Sequence, residues 1–275
     1  MLRKIYTVIL YGFAIIGAVL ILGFVISKTG LTNQKGITDN NTDYYNTSRN
    51  LSANQNYVWL NTPEYLSLKE AMKNEQIVLN RVETETGIKS RLLLSILFVE
   101  QMRLYTSNRE LFKLVFEPLK MLGVQSQFSW GVLGLKQDTL MAIENNLKAT
   151  SSPYYLGPNY EKTLDFNDPK ATSTENIDSE RFMRVTDEHN HYYTYLYAAI
   201  FLKEVEKQWE LAGFDISGKP EILATLYNIG FAHSLPNANP QVGGAEIDIA
   251  NAKYSFGELA YQFYYSNELT DIYPR

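Results

Sequence analysis

Residues 92 to 102 read LLLSILFVEQM, and nine of these eleven positions are apolar or serine. A helix of that composition has no polar stripe to turn toward water, so it is predicted to be buried nearly all round. The apolar periodicity on either side predicts a mostly helical chain. Thr62-Pro63-Glu64 places a capping hydroxyl before a proline at the first helical position, and the run that follows extends to Gly87, a natural stop. Ser90 is placed to cap the helix that contains the central stretch. Further helices are predicted over 108–122, ending at Gly123, and over Thr139 to Leu147, 192–211 and 220–228. The last runs from Ser255 to Tyr265, where Ser255 and Glu258 have capping-box spacing. Residues 150 to 190, rich in Ser, Thr, Asn and Asp and broken by Pro and Gly, predict a long irregular excursion. No strand pair with a short hairpin signal stands out, and there is no internal repeat.

The N-terminus follows a different pattern. After Arg3 and Lys4, Ile5 to Ile26 is an uncharged run of 22 residues, about 33 Å long as a helix and enough to cross a hydrocarbon core of about 30 Å. The apolar run is longer than that of a cleavable signal, and LGFVISKTG offers a poor cleavage site, so an uncleaved signal anchor is expected over residues 1–28. Its leading positive charges predict a single pass that keeps the N-terminus in the cytoplasm and exports the rest. Residues 29–56 are rich in Asn, Thr and Ser without apolar periodicity and read as a flexible tether. Residues 57–275 are then the exported domain.

Composition narrows the functions open to that domain. With 45% hydrophobic and 20% charged residues, the 275-residue chain can build one sizeable core or two small ones. The net charge of −5 and the lack of a basic tract argue against nucleic-acid binding. The absence of Cys excludes disulfides, thiol catalysis and thiolate metal sites. His189 and His191, in DEHNHYY, suggest a metal site with Asp187 or Glu188, but an isolated His-x-His pair in a polar loop is more plainly solvated. Neither metal nor cofactor is expected. Among the 20 tyrosines, Tyr154, Tyr155, Tyr160, Tyr192 and Tyr193 cluster around the irregular region. Such rings stack on the apolar faces of sugars and also fill cores.

Within the apolar stretch, Glu100 is the residue that needs a reason. A carboxylate beside Phe98 and Val99, near the C-terminal end of its helix, is opposed by desolvation and by the negative end of the helix dipole. Both effects favour the protonated form, which is how a Glu is kept as a proton donor near neutral pH. The alternative is a Glu that emerges at the surface as the helix ends, paired with Arg103.

Four segments bear on this choice together. GIKSRLLLSILFVEQ (87–101), GVLGLKQ (131–137), NHYYTYLYAAIFLKEV (190–205) and ATLYNIG (224–230) occur in the order of the motifs of the lytic transglycosylase and goose-type lysozyme superfamily, and the chain resembles that superfamily over about residues 78 to 232. It departs from the pattern at Gln101, where the family usually has Ser, at Lys136, where it has Met, and in a longer interval between Glu100 and Gly131.

The resemblance implies a lysozyme-like, mostly α-helical domain acting on peptidoglycan glycan strands between N-acetylmuramic acid and N-acetylglucosamine. It implies that Glu100 is general acid and then base, and that Tyr227 hydrogen-bonds near Glu100 and holds its geometry. Gln101, Gly134, Leu135 and Gln137 would shape the substrate cleft, with Asn228 as a further candidate and His233 near enough in sequence to line it. Structural roles remain open for the same residues: Tyr227 as a core aromatic, and Gly131 and Gly134 as turn glycines. A single Glu implies 1,6-anhydromuropeptide products. Asp138 as a second carboxylate would instead make a hydrolase, although capping the helix that begins at Thr139 is its plainer role. A weakly active wall-binding or envelope-assembly scaffold, with Gln101 and Lys136 marking lost activity, is the reading from another class.

Overall fold

The computed structural model describes residues 56–106, 129–166 and 174–275, together with Tyr11, Gly17 and Ile21 as isolated helical positions. Apart from those three positions, the predicted span over Ile5 to Ile26 lies outside the described residues, as do nearly all of the tether and the predicted helix over 108–122. Among the described residues no helix is long and apolar enough to cross a membrane.

The fold is mostly helical, with eight α-helices and two short strand pairs among the described residues. Thr62 caps helix α1 (Pro63–Asn74), its hydroxyl accepting from the Tyr65 N–H at 3.3 Å. The predicted single run to Gly87 is in fact two helices, α1 and α2 (Gln76–Thr86), joined at Glu75. The joint lets Leu68 and Met72 face α3 (Ser90–Thr106) while α2 turns Leu79 and Val82 toward α3 and α6 (Tyr192–Leu211). Glu75 anchors it by an ion pair to His191 at 2.9 Å, just before α6, which is where the His-x-His motif is spent. Among the described residues no three His, Asp or Glu side chains converge as a metal site. Gly87 ends α2 in the left-handed conformation, as expected.

Every residue of α3 from Ser90 to Glu100 is buried. The helix is enclosed by α1, α2, α6, α7 (Pro220–Ile229), α8 (Phe256–Tyr265) and strand β3 (Glu246–Ile249). Ser90 is the first helical residue rather than the cap: its N–H is taken by the Glu83 carboxylate at 2.8 Å. One turn in, Arg91 is fully buried and directs its guanidinium at five backbone carbonyls beyond the middle of α8, those of Phe263, Tyr264, Ser266, Glu268 and Tyr273, at 2.7–3.0 Å. These bonds use all five of its N–H donors. Burial lowers its pKa to about 10, which still leaves it charged at neutral pH. The chain end is also tied down by the Tyr273 hydroxyl, which donates to the Met72 carbonyl at 2.6 Å.

Two further expectations are corrected. The excursion over 150–190 contains helix α5 (Thr174–Thr186). Its sequence, TENIDSERFMRVT, hid it because the inward face carries arginines. Arg181 forks onto Glu144 of α4 (Gln137–Asn146) with two bonds of 2.7 Å, and Arg184 binds Glu180 and the carbonyls of Leu164 and Asp165. The second correction is a β-hairpin of β3 and β4 (Ala252–Ser255), with Ile249 opposite Ala252. Ala250 and Asn251 both have positive φ, 50° and 65°, as a two-residue hairpin turn requires, but they lack the Asn-Gly signature. Ser255 then caps α8 by accepting from the Glu258 N–H at 3.3 Å.

A second buried charge site lies on α6. Glu204 is fully buried, receives one hydrogen bond from Asn146 at 3.1 Å, and its Oε1 has no hydrogen-bond partner among the described residues. Burial raises its pKa from 4.5 to about 9, so the native state holds a proton that the unfolded chain releases. Stability from this group therefore falls as pH rises from about 4.5 toward about 9. In thermal denaturation Glu204→Gln should have a higher Tm than wild type at pH 8, with the difference shrinking toward pH 4.5. Arg91→Met, which strands five carbonyls, should lose at least about 3 kcal/mol in urea denaturation.

Candidate active site

Glu100 ends the fully buried stretch of α3 and is 3% exposed. Arg103, one turn later and equally buried, donates from Nη2 to Glu100 Oε2 at 2.7 Å. The pairing with Arg103 foreseen for a surface Glu is thus present, but inside the protein, so the emergence at the surface that went with it is corrected. The carboxyl is thus held away from bulk water against a guanidinium.

The loop between β1 (Ser129–Trp130) and β2 (Leu135–Lys136) covers this carboxyl. Gly131 and Gly134 bracket the loop with φ of 65° and 64°. At Gly134 a side chain is disfavoured twice: by this left-handed backbone, and because a Cβ there would lie 3.0 Å from Glu100 Oε2. Two side chains hold the loop's carbonyls. The Tyr227 hydroxyl, from α7, donates to Leu133 O at 2.9 Å, and Gln101 Nε2 donates to Val132 O at 2.5 Å. Tyr227 therefore positions the loop that presses on Glu100, instead of bonding to Glu100 itself. Burial first, and the nearby Glu100 charge second, push the Tyr227 phenol well above its usual range, which keeps it a donor.

Beside Glu100 lies a cavity of about 320 Å³. Of the residues expected from the sequence, it is lined by Glu100, Gly134, Leu135, Tyr227 and Asn228. Gln101 and Gln137 are not in that lining: Gln101 is spent on the loop, and Gln137 is the first residue of α4. Asn228 accepts from the Ala245 N–H at 2.8 Å and so fastens the cavity wall to the approach to β3. Asp138 does line the cavity, as an exposed residue in the first turn of α4, where its charge suits the helix dipole; it caps no helix. His233 lines it as well, from the short 3-10 turn Phe231–His233.

Sequence reasoning gave Arg103 no part in the chemistry and missed Phe201 and Phe231, whose rings are 4.4 Å apart in the wall. Phe201 was accessible to such reasoning, since it lies in the segment that precedes the Tyr motif. Phe231 immediately follows Gly230 at the end of ATLYNIG.

The described part is a mostly α-helical domain whose central helix delivers a buried carboxyl to the wall of a cavity of mixed polar and apolar lining. No model of a known protein family matches this chain, and comparison with curated proteins and with solved structures gives no match.

Gly134→Ala should cost about 1–2 kcal/mol for the left-handed backbone alone, and more for the contact with Glu100. Tyr227→Phe should cost about 1 kcal/mol by releasing the Leu133 carbonyl. Urea denaturation of both variants measures these losses, and an unchanged midpoint for Gly134→Ala would mean that the loop does not press on the carboxyl.

Proposed function

We propose that this chain is a lysozyme-like peptidoglycan lytic transglycosylase, exported and held at the membrane by its N-terminal segment. The observation that carries the reading is the buried Glu100 on a cavity wall, with a glycine backbone laid against its carboxyl and Tyr227 holding that backbone. The ordered motifs noted in the sequence support it, since they supply these same residues.

In this reading Glu100 donates its proton to the oxygen of the bond between N-acetylmuramic acid and N-acetylglucosamine. The positive charge that develops on the sugar is met by the substrate's own N-acetyl group. Glu100, now a carboxylate, accepts the proton of the muramic acid 6-hydroxyl as that oxygen closes the 1,6-anhydro ring. Arg103 stabilises the carboxylate in the interval between donation and return. Leu135 and Asn228 belong to the saccharide-binding wall, whereas Gln101 supports the loop and Gln137 is outside the lining.

A hydrolase is the second reading, favoured by one observation: Asp138 shares the cavity with Glu100 and is exposed, so it is placed to activate water. Mass spectrometry of muropeptides released from sacculi separates the two. Anhydro products, lighter by one water, are expected. Reducing ends would replace the transglycosylase by a hydrolase, with Asp138→Asn as the next variant. Glu100→Gln should remain folded and lose activity by at least about 10²-fold. Turnover at the wild-type rate in that variant would remove Glu100 as the acid, and none in the wild type would leave the wall-binding scaffold as the better description.

A further inference from the structure

We infer that the groove along the outer face of α6 is a second carbohydrate-binding site, distinct from the Glu100 cavity; only the choice of ligand class rests on the glycan reading above. The groove has a volume of about 700 Å³ and is lined among others by Leu156, Tyr160, Lys203, Glu206 and Phe214. A smaller cavity of about 190 Å³ continues it, with Lys203 and Glu206 in the wall of both.

Lys203 and Glu206 are the reason to expect a ligand. They stand three residues apart on α6, half-buried, at the junction of the two cavities. Neither has a hydrogen bond or ion pair with another side chain among the described residues. Burial raises the pKa of Glu206, Lys203 lowers it, and Asp215 adds to the rise. Lys207, by contrast, is already committed to Glu210 at 2.8 Å. A half-buried ammonium and carboxyl with no hydrogen-bonded side chain among the described residues take donors and acceptors from the solvent side.

A sugar supplies both. Its hydroxyls accept from Lys203 and donate to Glu206, while its apolar C–H face suits the rings of Tyr160 and Phe214. The Lys203 ammonium lies 5.4 Å from the Tyr160 ring centroid, so ring and charge form one unit. A phosphate-rich ligand is opposed by Glu206, Glu210 and Asp215 in the same lining. An acyl chain is opposed by the charges of both signs.

One turn segment connects the two sites. Tyr154 packs edge-on against Phe231 of the Glu100 cavity, with centroids 4.8 Å apart, and donates to its carbonyl at 3.3 Å. Two residues further along the same turn segment, Leu156 enters the groove, followed by Tyr160. A polymer engaged at Glu100 can therefore be gripped a second time across this segment. The expected consequence is a preference for long strands, since the second contact adds effective concentration to the first.

The test is titration of the full-length chain with tetra-N-acetylchitotetraose, read by calorimetry and by tryptophan fluorescence. Trp209 is buried 6.5 Å from Phe214 and reports on the groove. Saturable binding is expected, weakened at least about tenfold in Tyr160→Ala and in Glu206→Ala, and restored in Tyr160→Phe. Glu100→Gln should bind through the groove as wild type does, so a failed catalytic reading leaves this result intact. No saturable binding, or binding undiminished in both Tyr160→Ala and Glu206→Ala, would overturn the proposal. So would displacement of the tetrasaccharide by the tripeptide L-Ala-γ-D-Glu-L-Lys, which would make the groove a peptide site. If Tyr160→Ala does not fold, Glu206→Ala decides.

Discussion

The complete burial of α3 from Ser90 to Glu100 is the constraint on which the rest of this structure depends. An apolar helix with no polar stripe must be enclosed, and the helices before and after it in the chain, with strand β3, supply the walls. Its charged residues mark the two ends of that enclosure. Arg91 enters the core and gathers five carbonyls from the C-terminal segment, so the last part of the chain is bound to the first turn of the central helix. Glu100 leaves the core at the far end, against a partner cation and a glycine backbone.

That placement gives the candidate site its character. A carboxyl on a flexible loop would be hydrated and mobile. Glu100 is instead delivered by a helix enclosed on all sides up to that residue, and the β1–β2 loop is pressed onto it by bonds from Tyr227 and Gln101. The two side chains act on adjacent carbonyls of one short loop, from α7 and α3 respectively. Precision at Glu100 is thus a property of three elements meeting, and Gln101 is part of that support.

Charge does more of the packing than composition alone suggests. Arg181 and Arg184 dock α5 through carboxylates and carbonyls where an apolar stripe would ordinarily serve. Glu204 keeps a proton in the α4–α6 interface. Each of these buried polar groups costs desolvation unless it finds a particular partner, so they favour this arrangement of helices over alternative packings of the same apolar faces.

Local chemistry in the sequence determined where most helices begin and end: the Thr62 and Ser255 caps, the proline after Thr62, the Gly87 stop and the apolar run of α3 are legible because their causes lie within a few residues. The candidate carboxyl was legible for the same reason, since a charge inside that apolar run is anomalous wherever the chain goes. The break at Glu75, the arginine-faced α5 and the Ala250-Asn251 hairpin were decided by tertiary structure, because their stabilising partners are His191, Glu144 and a facing strand, remote in sequence or silent in local pattern. So was the distinction between a surface Glu100–Arg103 pair and a buried one. The two residues are neighbours on any helix, and only the walls that α7 and the β1–β2 loop build around them remove the water.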